Sequence, residues 1–131
     1  MGAALYVVLK KKVPAADRIV VDGKMLARAA DRLAEAAKRL RVPPLEKFFS
    51  VAPATAAALM ELPPHDSALP EERWFSPKAG LKTVRALLKN LRKGTADVEE
   101  KGQAIEDLVG IEKMLVVADE AGTQFHVALD I

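Results

Sequence analysis

The chain predicts an α+β fold, and three observations carry that prediction. Ala3 to Leu9 is a short apolar run with Tyr6 and two valines, and it stops at Lys10, Lys11, Lys12, Val13 and Pro14. Gln124 to Ile131 alternates, with Phe125, Val127, Leu129 and Ile131 facing one way and Gln124, His126, Ala128 and Asp130 the other. Between them lie segments whose apolar residues recur at the spacing of a helix stripe. A two-stranded ribbon alone is marginal in water, so the expected architecture is a small, mainly antiparallel sheet built from the N- and C-terminal strands and covered on one face by about four helices.

The elements follow in order. Ala3 to Leu9 reads as a buried strand with a charged stop, because apolar and β-branched residues suit a pleated, half-buried surface. Arg18 to Val21 precedes the turn dipeptide Asp22-Gly23 and reads as a brief additional strand. Asp22 is then the expected N-cap of a first helix, in which Leu26, Ala30, Leu33, Ala37 and Leu40 form one stripe. Val42, Pro43 and Pro44 end it, since proline lacks an amide hydrogen and disfavours helix in the residue before it.

Leu45 to Phe49 is a candidate short turn, and Pro53 opens a second helix that runs to about Leu62, its alanines pointing to close packing. Pro63 to Ser67 is a loop by composition, and Pro70 to Phe75 reads as a short helical turn. Ser76 and Pro77 form an N-terminal signature, a capping hydroxyl followed by a ring that presets the first helical φ. This third helix extends to Lys93, with Gly94 as its stop. Asp97 and Glu100 resemble a capping box for a last helix ending near Ala121 and Gly122. Gly102 and Gly110 weaken that helix, so a kink or a close helix crossing is expected at one of them.

Composition limits the function classes. A length of 131 residues fits one domain spanning 1–131, and 50% hydrophobic with 29% charged residues is the balance of a globular chain. Cysteine is absent, which removes disulfides, thiolate metal sites and cysteine nucleophiles. The first nine residues lack a basic leader, and no apolar run approaches the roughly 20 residues of a membrane span, so a cytoplasmic location is expected and no membrane partner. The net charge of +2 is mild for a dedicated nucleic-acid binder. No phosphate-binding loop, dinucleotide fingerprint or nucleophile elbow is present, and no cofactor is expected.

Charge is distributed unevenly. Lys78, Lys82, Arg85, Lys89 and Arg92 make a basic stripe opposite Leu81, Val84, Leu88 and Leu91, and Ser76 to Ala96 holds six basic residues and no acidic one. Asp97 to Glu120 answers with eight acidic residues against Lys101 and Lys113. Helices joined by a short link pack antiparallel, so these charges compensate, and the stripe reads first as a solvated helix face and second as a phosphate-binding surface. No aromatic residues interleave with the bases, which further disfavours single-stranded nucleic acid.

Three side-chain groups remain. His126 shares a strand face with Asp130, and Tyr6 joins them if the terminal strands pair; such a cluster suits acid-base chemistry, although a histidine there is ordinarily a half-exposed surface residue. His65 and Asp66 lie in a proline-rich loop with no ligand spacing around them, so no metal site is expected. Phe48, Phe49, Trp74 and Phe75 either plug the ends of the core or form an anchor patch for a protein partner. Without a catalytic constellation, the leading expectation is a non-catalytic, bacterial-type module acting through a protein partner or self-association as a homodimer, with an open sheet edge as one route. A small enzyme or ligand binder using His126, Tyr6 and Asp130 is the second expectation, and weak nucleic-acid binding through the basic stripe the third.

Overall fold

The computed structural model describes residues 3–63, 65–94 and 98–130, with the backbone alone at 98–100. The two terminal strands, β1 (Ala4–Leu9) and β2 (Phe125–Asp130), pair antiparallel with Ala4 opposite Asp130 and Leu9 opposite Phe125. Because opposed residues share a face, Leu5, Val7 and Leu9 point the same way as Leu129, Val127 and Phe125. That face meets the core: Leu5, Phe125 and Val127 are fully buried.

Among the described residues five α-helices accompany the sheet: α1 (Lys24–Arg28), α2 (Ala30–Leu40), α3 (Pro53–Met60), α4 (Pro77–Lys93) and α5 (Val98–Glu120). The α4–α5 hairpin is the principal helix pair, and Leu81, Val84, Leu87 and Leu88 of α4 join Leu108, Ile111 and Leu115 of α5 in one core with Leu26 and Leu33. Single-turn 3₁₀ helices at Pro14–Arg18 and Leu45–Phe48 join these elements. The Thr83 hydroxyl donates to the Pro43 carbonyl at 2.7 Å, which ties the proline linker to α4 and satisfies a fully buried side chain.

The α+β architecture is the one the sequence predicts, with local differences. Arg18 to Val21 is not a strand. The β1 edge it would need is engaged where the Leu5 amide donates to the Gly23 carbonyl at 3.0 Å, and Val21 instead lies across α5 at Gly110. A β-carbon on Gly110 would come within 2.6 Å of Val21 Cγ2, so the last helix is approached closely at this glycine by the non-helical segment before Gly23, not by the helix that was expected. Gly23 has φ 75°, and a β-carbon there would fall 1.9 Å from the Leu5 carbonyl oxygen; only glycine fits.

The first expected helix is interrupted at Ala29 (φ −91°, ψ 6°) and becomes α1 and α2. Gly23 is its N-cap, while the Asp22 carboxylate accepts from the Lys24 amide at 3.3 Å. The buried stripe is Leu26, Ala29, Leu33, Ala36 and Ala37, leaving Leu40 exposed. Ser76 precedes α4 as expected, yet its hydroxyl makes no capping bond; its carbonyl accepts from the Ala79 and Gly80 amides. The segment Pro70 to Phe75 forms no helical turn, and Phe75 at its end pairs with Phe125 through two backbone hydrogen bonds of 2.8 and 3.0 Å. The capping box at Asp97 and Glu100, and the placement of Ile131, lie outside the described residues.

Candidate functional site

Alternation places Tyr6, His126 and Asp130 on the sheet face opposite the core, as expected. They do not form one cluster. Tyr6 is 43% exposed and pairs across the strands with Ala128, while Asp130 is exposed at the far end of β2. His126 is 2% exposed, which corrects its expected half-exposed state. The extended segment from Glu72 to Phe75 runs over this end of the sheet and covers it.

That cover is built from several contacts. Phe75 bridges to Phe125, the Arg73 amide donates to Ser50 Oγ at 2.6 Å, and the Trp74 ring lies 4.6 Å from the imidazole between centroids. His126 Nε2 lies 3.0 Å from Glu72 Oε2. A carboxylate only accepts, so Nε2 carries the hydrogen and donates it. Nδ1 is buried with no hydrogen-bond partner among the described residues. Glu72, the true partner of His126, has no signal in the sequence, since it is one of two adjacent glutamates in a loop.

The other aromatic residues are core. Phe48 packs edge-on against Phe75 at 5.4 Å and, with the rings tilted by 34°, against Phe125 at 5.5 Å, and Phe49 and Phe75 line the same cluster. Of the expected set, Phe48 is in the core and Phe49 and Phe75 are packed against it, while Trp74 is half-buried over His126 and outside that cluster.

A groove of about 340 Å³ opens between α2 and the C-terminal end of α4, floored by Leu33, Ala36 and Leu91. Neither it nor three further grooves along α4 and α5 is lined by His126, Tyr6 or Asp130. Among the described residues no group of three or more His, Asp or Glu is placed to hold a metal, and Asp66 Oδ1 accepts from the Ala68 amide in a tight turn. No helix among them is long and apolar enough to cross a membrane.

Lys78, Lys82, Arg85, Lys89 and Arg92 are all exposed along α4. Arg85 Nε is held by Glu112 Oε2 at 3.1 Å, and Asp119 and Glu120 line the same groove as Lys78 and Lys82. The acidic helix thus answers part of the stripe within the chain.

One surface escaped the sequence reading. In α3, Ala56 and Ala57 face inward and are buried, while Ala54, Thr55 and Ala58 are exposed, Leu59 is 69% exposed and Met60 48%. Val51, just before the helix, is 38% exposed, and no residue from Val51 to Met60 carries a charge. Close packing was expected from the alanines, and only the inner pair achieves it. The available signal was a helix with apolar side chains on every side, a pattern that calls for burial all round.

Comparison with known proteins adds no functional information: no family model, no curated protein and no solved structure matches the chain.

Proposed function

We propose that this chain is a protein-interaction module that acts by contact, and that the outward face of α3 is its contact surface. One observation carries the reading: Leu59 and Met60 expose apolar surface at the end of α3, beyond exposed Ala54 and Ala58 and with Val51 exposed before the helix, on a stretch without charge in a chain where 29% of residues are charged. Single exposed apolar residues are ordinary, whereas a contiguous set marks a surface that a partner covers. The sheet edges offer less. The outer edge of β2 is taken by Phe75 at Phe125 and by the Ser50 amide at the Val127 carbonyl, and β1 runs into Lys10, Lys11 and Lys12, charges that discourage strand addition.

The test is site-specific photo-crosslinking in the cells that make the protein. A photoreactive residue at Leu59 is expected to give a discrete adduct, and the same residue at exposed Lys113 on α5 none. Equal labelling from both positions, or no adduct from Leu59, would count against the α3 surface.

A further inference from the structure

Apart from α3, the sheet leaves part of one edge unfinished. The Lys10 amide donates to the Gln124 carbonyl at 2.9 Å, which fixes the parity of the ladder: Val8 with His126 and Tyr6 with Ala128 are the hydrogen-bonded pairs of β1 and β2. The main-chain groups of Leu5, Val7 and Leu9 therefore point away from β2. Gly23 closes the first of these positions, its carbonyl accepting from the Leu5 amide. Among the described residues nothing hydrogen-bonds to the outward N–H and C=O of Val7 and Leu9. A buried main-chain group is almost always paired, so these groups face water; both residues are only half-buried although they share the face of Phe125 and Val127.

Unspent charge stands at the end of this edge. Lys10, Lys11 and Lys12 are consecutive and exposed, and among the described residues no carboxylate pairs with their ammonium groups. The stripe on α4 differs, since Glu112 holds Arg85 there. Lysines beside an open edge keep most strands off it, and the strand they favour is an acidic one. We infer that the β1 edge at Val7 and Leu9 accepts an extended acidic segment of another protein as a third strand, its main chain bonding to Val7 and Leu9 and its carboxylates meeting Lys10, Lys11 and Lys12. A phosphate backbone would meet the lysines, but it supplies no row of amides and carbonyls for the edge.

Antiparallel addition, the arrangement β1 already has with β2, sets the register of a probe. In the end-blocked peptide Glu-Glu-Glu-Glu-Val-Thr-Val-Thr the valines fall opposite Leu9 and Val7 and the glutamates beside the lysines. Titrated into isotope-labelled protein at low salt, it is expected to shift the Val7 and Leu9 amide resonances saturably. N-methylation of both valines removes the amides that point at β1 and should weaken binding by about tenfold or more, whereas N-methylation of the intervening threonine, whose amide points away, should leave it within about twofold. Replacing the three lysines together, Lys10→Gln, Lys11→Gln and Lys12→Gln, should weaken binding several-fold and flatten its dependence on salt.

Unshifted Val7 and Leu9 amides, or equal affinity of the valine-methylated and threonine-methylated peptides, overturns the strand addition. Undiminished binding by the triple lysine variant overturns the selection of an acidic segment. If inorganic polyphosphate binds as tightly as the peptide and leaves Val7 and Leu9 unshifted, the lysines serve phosphate and the peptide occupant is overturned. The α3 surface stands or falls separately, on the Leu59 crosslink.

Discussion

Glu72 and His126 hold each other at 3.0 Å across the open side of the sheet, one from an extended loop and the other from the last strand. Among the described residues this bond is the imidazole's one hydrogen-bond partner, Nδ1 lying buried and unpaired, and the same segment brings Trp74 over the ring.

Replacing Glu72 with Ala would leave both ring nitrogens unpaired in the interior, a cost of about 1–3 kcal/mol. Glu72→Gln keeps an acceptor oxygen and should lose less. The chain's single tryptophan is the reporter: urea unfolding followed by Trp74 emission should show the midpoint fall in Glu72→Ala. Tyr6→Phe and Asp130→Asn alter exposed side chains of the same face and should stay within about 0.5 kcal/mol of the parent. Equal losses from all three sites would mean that His126 does not depend on Glu72.

Two glycines in helices should respond oppositely to alanine. At Gly80 a β-carbon would lie 2.5 Å from Phe125 Cζ and 3.0 Å from Leu115 Cδ1, so Gly80→Ala must displace a fully buried ring at a cost of about 1–3 kcal/mol. At Gly102 nothing stands within 4 Å, and alanine should stabilise α5 by up to about 1 kcal/mol. Thermal unfolding of the two variants decides it; a drop for both would contradict the open surroundings of Gly102.

Arg41 and Glu61 adopt left-handed backbone, φ 59° and 55°, where α2 and α3 end. The amide of the residue after each reaches back to the last turn, Val42 to the Ala37 carbonyl at 3.0 Å and Leu62 to the Ala57 carbonyl at 2.9 Å, a C-cap that glycine enters without strain. Arg41→Gly should therefore raise stability by about 0.5–1 kcal/mol, despite the greater freedom glycine gains in the unfolded chain. A lower melting temperature would show that the Arg41 side chain contributes more than its backbone costs.

The fold was legible where pattern and pairing coincide. Alternation marked the core face of β2 at Phe125 and Val127, with Leu129 at the end of the same face left exposed, and the stripe Leu81, Val84 and Leu88 marked that of α4. Local pattern failed where a distant segment decides the outcome. The β-branched run at Ile19 to Val21 has strand composition but is drawn onto α5 at Gly110, and Pro70 to Phe75 makes no helical turn where Phe125, fifty residues away, supplies Phe75 with a pairing edge. The misjudged exposure of His126 has the same origin, since its cover comes from Glu72 and Trp74. The outward side of α3 was readable in principle, as an uncharged helix is seldom buried on every side in a small domain.

The basic stripe of α4 permits one more test. Glu112 holds Arg85 with side chains 58% and 28% exposed, a pair worth less than about 1 kcal/mol to stability, so a double-mutant cycle should give a small coupling that fades with salt. Its larger effect is on the field outside the helix: with Glu112 on Arg85, and Asp119 and Glu120 beside Lys78 and Lys82, a phosphate backbone approaches compensated charge. Duplex DNA should therefore not bind at about 0.15 M salt. The combined variant Glu112→Gln, Asp119→Asn, Glu120→Gln should expose the bases and bind at low salt, with affinity falling as salt rises. Binding by the parent chain at physiological salt, with a slope of about four phosphates, would show that the acidic helix does not screen the stripe.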